Sequence, residues 1–175
     1  MDDERESVEG QSSTYPNQDG SFTLGHVRRT TYRLQYWLPD GWYVRSAKFG
    51  SQNVLEDGLK LADGDAAHSL EITISPGVAQ VDGVVLRGDD PVPGAMVKLL
   101  PDLDNPFRTI WPQTTWTDPN GHFVIKNIAP ASYRAMAFDV EADPGNDDDD
   151  PLAVSISLAE KESKTVKLQL SKRPE

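Results

Sequence analysis

The chain contains no cysteine, so neither a disulfide nor a thiolate metal site can hold it together. It has no apolar run approaching the ~18 residues that a membrane-spanning helix needs. Histidine is scarce, with three residues, which leaves few candidates for imidazole catalysis or zinc ligation. Positive charge is the minority sign. Seventeen Lys and Arg face 28 Asp and Glu, for a net charge of −11. A surface of that sign repels phosphate backbones and anionic lipid, so neither nucleic acid nor membrane insertion is expected. No helical apolar period with caps is visible, and there is no Gly-rich phosphate loop, nucleophile elbow or H-E-x-x-H pair. The N-terminal stretch lacks the basic start and apolar core of a secretory signal.

What is present is a phrase said twice. Asp19, Gly20, Phe22, Tyr32 and Arg33 correspond to Asn120, Gly121, Phe123, Tyr133 and Arg134, at a spacing of 101 residues. Such a period suits whole domains rather than a solenoid. Residues 1–18 are polar and aperiodic and read as a disordered lead. Residues 19–76 read as a partial β-repeat, with strands expected around Phe22–Leu24, Tyr32–Trp37, Trp42–Phe49 and Ser69–Ser75. Pro76-Gly77 punctuates the boundary.

Residues 77–172 read as a complete unit of seven strands, around 79–86, 95–100, 114–117, 122–125, 133–138, 154–158 and 165–170. Ala95, Val97 and Leu99 share one face of their strand, as alternation requires. Asp118-Pro119-Asn120-Gly121 suits a type I turn. Seven short strands with frequent turns predict an antiparallel β-sandwich, all-β and immunoglobulin-like, in which each strand buries one face. The two strands that open the second unit have no counterpart in the first. The expectation is therefore that the first repeat is incomplete, and that the chain is a fragment of a longer protein or starts inside a domain. Residues 1–76 alone are then expected to be marginal and to self-associate, and 77–175 alone to be a soluble monomer.

Several phrases of the second unit, Val81-Asp82-Gly83-Val84, Pro91-Val92-Pro93-Gly94-Ala95, Thr117 through Phe123, and Asn127 through Tyr133, resemble the carboxypeptidase regulatory-like domain family. The likeness covers about 77–172 well, and 19–76 as the latter part of an earlier copy. It implies a prealbumin-like (transthyretin-like) β-sandwich that is usually an appendage without catalytic residues or cofactor. It also implies a secreted, periplasmic or outer-membrane protein with peptidase, transporter or adhesive neighbours. One departure is Ala131, where the family has glycine after the proline; if φ must be positive there, alanine costs on the order of 1 kcal/mol.

Candidate sites are few. His68 and Glu71 match the H-x-x-E zinc pair in form, but Glu71 opens an alternating strand and the only later histidine, His122, lies in the other unit. The carboxylates Asp139, Glu141, Asp143 and Asp147–Asp150 are dense but lack calcium-loop spacing, and read as a solvated loop. Trp37, Trp42, Tyr43, Phe107, Trp111 and Trp116 are first of all core and loop aromatics. Phe107 and Trp111, in a loop carrying three prolines, form the one candidate ligand-facing patch, suited to stacking on a glycan. The expectation is therefore a non-enzymatic structural or interaction module with no metal and no cofactor. Its partners would be neighbouring domains of a longer chain or another protein. A carbohydrate-binding module of starch-binding-like fold is the alternative.

Overall fold

A computed structural model describes residues 12–62, 68–139 and 150–171. Strand elements run as β1 (Thr31–Tyr32), β2 (Tyr43–Phe49), β3 (Gln52–Asn53), β4 (Leu59–Lys60), β5 (Leu70–Ser75), β6 (Ala79–Arg87), β7 (Asp90–Pro91), β8 (Met96–Pro101), β9 (Gln113–Trp116), β10 (His122–Ile128), β11 (Ser132–Phe138), β12 (Val154–Ser157) and β13 (Ser163–Gln169). The only helix among the described residues is a single turn, α1 (Val54–Asp57).

The second unit is a two-layer β-sandwich. One sheet has the order β10-β6-β13, with β7 extending β6, and the other has the order β12-β11-β8-β9. Alternate residues of each sheet point inward. Val81 and Val85 of β6, Phe123 and Ile125 of β10 and Leu168 of β13 meet Val97 and Leu99 of β8 and Tyr133 and Ala135 of β11 in one buried cluster. Period-two alternation produces this directly, because one apolar face per sheet can be hidden only against another. The seven expected strands of this unit are all present. A single parallel bridge joins Ala137 to Leu170, and the ladders between these strands are antiparallel except that of β6 and β13, which run parallel from Ser163↔Gln80 to Gln169↔Leu86. Gly83 makes this possible, because a Cβ there would lie 2.2 Å from the Val166 carbonyl oxygen and 2.9 Å from the Phe123 ring.

Turn chemistry fixes the ends of these strands. Asp118 Oδ1 accepts the amides of Asn120 at 2.8 Å and His122 at 2.9 Å, closing the predicted turn. Thr117 is buried; its Oγ1 accepts the Ala95 amide at 2.8 Å and donates to the Val92 carbonyl at 2.7 Å. Ala131 is not strained. The left-handed residue of that region is Asn127, at φ 60°, so the corner is built four residues earlier than the glycine rule suggests.

The first unit is smaller. It holds a three-stranded sheet, β3-β2-β5, and the short pair β1-β4, around six buried residues that include Val44, Phe49 and Leu55. Two expected strands are corrected. No strand forms at Phe22–Leu24, and of Tyr32–Trp37 only Tyr32 enters a ladder, opposite Leu59. The alternation behind the second expectation is nonetheless real. Tyr32, Leu34, Tyr36 and Leu38 all pack against the small core, while the intervening residues are exposed.

The two matching phrases share local backbone geometry. Asn17 accepts the Gly20 amide at 3.0 Å and donates to the Ser21 carbonyl at 2.8 Å; Asp118 accepts from Gly121 at 2.9 Å and donates to His122 at 2.7 Å. His26 and Asn127, 101 residues apart, are both left-handed. Each copy also ties its tyrosine hydroxyl to the backbone four residues upstream. Tyr32 accepts the Arg28 amide at 2.7 Å, and Tyr133 donates to the Ala129 carbonyl at 2.6 Å.

Candidate functional site

The histidine-carboxylate pair does not assemble a metal centre. His68 is exposed, with its ring edge-on to Phe49 at 5.7 Å between centroids, and Glu71 is an exposed residue of β5. Among the described residues no group of three or more His, Asp or Glu side chains could hold a metal ion. Of the acidic run, Glu141, Asp143 and Asp147 to Asp149 lie outside the described residues. Asp139 pairs with Arg87 at 3.1 Å, and Asp150 accepts the Leu152 amide at 2.9 Å and the Ser171 hydroxyl.

The aromatics divide. Tyr43 is buried, whereas Trp37, Trp111 and Trp116 are 81%, 54% and 59% exposed. Trp42 is exposed to a lesser degree. Phe107 and Trp111 share the long loop between β8 and β9 but differ in setting. Trp111 stands in solvent. Phe107 is half-buried against the first unit, so close that a Cβ at Gly58 would come within 2.8 Å of its ring.

That loop and the turn between β12 and β13 carry several polar contacts to the first unit. Thr109 is buried; its Oγ1 donates to the Leu34 carbonyl at 2.8 Å and accepts from Arg33 Nε at 3.2 Å. The Thr109 carbonyl accepts the Tyr36 hydroxyl at 2.6 Å. Asn105 Nδ2 reaches the Leu55 carbonyl at 3.2 Å, the Glu56 carbonyl at 3.1 Å and Glu56 Oε2 at 2.9 Å. In the other turn Glu160 accepts the Tyr43 hydroxyl and the Ser75 hydroxyl, and lies 3.6 Å from Arg45. The Tyr43 bond holds the Glu160 carboxyl below its ordinary range, with Arg45 adding to the effect. Burial, then the hydrogen bond to Glu160, pushes the Tyr43 phenol up. Burial likewise raises Tyr36 and, most strongly, Tyr133.

Two open cavities border these contacts. One of about 440 Å³ is lined by Glu56, Asp102, Asp104, Asn105, Phe107 and Arg108, and one of about 310 Å³ by residues that include Arg45, Lys48, Gln52, Glu56 and Arg108. Thr109, Asn105 and Glu160 carried no sequence signal, being ordinary polar residues in loops. The three prolines that stiffen 101–112 were the sole hint that this loop has a fixed shape.

No known family profile and no curated protein matches the chain. Solved structures with similar layering include a DUF3823 family protein of Parabacteroides merdae, at 14% identity over 54% of this chain and 46% of the other, with a TM-score of 0.38. The major pilin subunit of Bacillus cereus aligns at 14% identity over 58% of this chain and 34% of its own, with a TM-score of 0.37. A shaft pilin of Lactobacillus rhamnosus GG aligns at 15% identity over 94% and 68%, with a TM-score of 0.34. The chain thus spans less than half the length of the first two. Overlaps this low carry no argument for this chain, and its fold is defined by its own strand pairing and core.

Proposed function

We propose that the chain is a non-catalytic structural and interaction module of the carboxypeptidase regulatory-like kind. In this reading residues 77–172 are the complete module, 19–76 a partial preceding copy and 1–18 a lead segment. The parent is a longer exported or cell-envelope protein, and the partners are neighbouring domains or another protein. No cofactor, nucleic acid or inserted lipid is involved. One observation carries the reading: five carboxylates of the second unit are engaged in closing turns and joining strands. Asp118, Asp150 and Glu162 accept backbone amides, Asp82 accepts the Thr165 hydroxyl and Glu160 the Tyr43 hydroxyl. A group held this way is positioned for structure and turned away from any shared reacting atom. Incubation with peptide, ester and glycoside substrates, with and without chelator, is expected to give no turnover. Chelator-sensitive hydrolysis would overturn the proposal.

The exposure of Trp111 favours a second reading, a glycan-binding face made with Phe107, since an open indole can stack on a sugar ring. Titration with soluble glucans, read by tryptophan emission, separates the two readings. The structural module gives no saturable shift at millimolar sugar, and the glycan face gives one that Trp111→Ala removes.

A further inference from the structure

The first unit has six buried residues in its core, against sixteen in the second. A core that small leaves a unit marginal by itself. Its side chains and backbone carbonyls, however, are tied to the second unit through three separate segments. Arg33, Leu34 and Tyr36 bond Thr109, with Tyr36 at 2.6 Å. Leu55 and Glu56 bond Asn105, and Gly58 lies under the Phe107 ring. Tyr43, Arg45 and Ser75 converge on Glu160. Glu160 also packs beside the linker, since a Cβ on Gly77 would lie 3.2 Å from its carboxyl carbon.

We propose that the 105–109 loop and the Glu160 turn form a docking face for the preceding unit, which makes the sheet of β2, β3 and β5 and the sandwich of β6 to β13 one rigid body. A linker alone leaves free rotation, and three further attachments on different segments leave no hinge. The proposal rests on the structural-module reading and names the partner of that module: the unit just before it. The face is selective. At the spacing of 101, Ala137 stands where Tyr36 does, and Ala137 is buried without a hydroxyl to offer. The second unit therefore does not present the same handle to a following copy, and the contact fixes one pair without propagating.

Residual dipolar couplings on the whole chain test this. Couplings from β2 and β5 and from β6, β10 and β13 are expected to fit a single alignment tensor. In the variant Tyr36→Phe, Asn105→Ala, Thr109→Val, Glu160→Ala, which removes the side-chain bonds of all three attachments, the two sets should separate into distinct tensors, or the first-unit resonances should collapse while those of the second stay dispersed. Two tensors in the unaltered chain would overturn the proposal, and so would one shared tensor that survives in the variant. Either result leaves the module reading standing, whereas substrate turnover would remove that reading and leave the joint intact.

Discussion

At the residue scale, Gly83 is the least replaceable position of the second unit. The parallel β6–β13 pairing brings the Val166 carbonyl within 2.2 Å of where a side chain would begin. Gly83→Ala must push β13 off β6 or displace Phe123, and is expected to cost about 3 kcal/mol or more in denaturant unfolding. Tyr133→Phe removes the donor to the Ala129 carbonyl and is expected to cost about 1–2 kcal/mol, measured the same way. The tyrosines also set an alkaline limit. Burial raises Tyr133 and Tyr36 above their unfolded value near 10. Their neutral forms are favoured by folding, so the stability they contribute is complete below that value and is lost as pH rises beyond it. Spectrophotometric titration should show these two phenols ionising above the ordinary tyrosine range. Glu160 has the opposite sign. Its lowered value makes the stability from the Tyr43 contact complete above the ordinary glutamate range, and that stability is lost as pH falls below the range, through the lowered value of the folded state. Acidification is therefore expected to change Tyr43 fluorescence or chemical shift before the second-unit core responds.

At the element scale, the second unit was legible because its strands alternate cleanly and its turns carry Asp, Asn, Pro and Gly in meaningful places. The Asp118 turn and the β8 face appear where the pattern put them. The parallel partner of β6 was not legible, because alternation says which face is buried and nothing about which distant strand lies alongside. Tyr32–Trp37 shows the converse. Its alternation is that of a strand, yet its polar atoms bond the Thr109 loop instead of a neighbouring strand. Thr117 illustrates how one side chain stops an element. Thr117→Val would orphan the buried Ala95 amide and free the Val92 carbonyl, at an expected cost of about 1–3 kcal/mol in thermal or denaturant unfolding. Phe107 was legible as a loop aromatic, but its neighbour Gly58 lies far away in sequence and could not be paired with it. Gly58→Ala, at φ 73° and against the Phe107 ring, combines backbone strain with overpacking and should destabilise by roughly 2–4 kcal/mol.

At the scale of the whole molecule, the division into a large and a small unit has an energetic consequence. The small unit contributes strands, a modest core and three exposed or partly exposed polar attachments, and it draws its order from the larger one. Individual hydrogen bonds are worth only about 1 kcal/mol each, so their effect lies in acting together on one body. The excess of carboxylates, a net charge of −11, repels like-charged surfaces.

Amide hydrogen exchange tests this most directly. If the joint couples the units, the slowest amides of β2 should exchange with the same free energy and the same denaturant dependence as those of β6, β10 and β11, through one global opening. A β2 that exchanges through its own, lower-energy opening, while the second unit stays fully protected, would contradict the account.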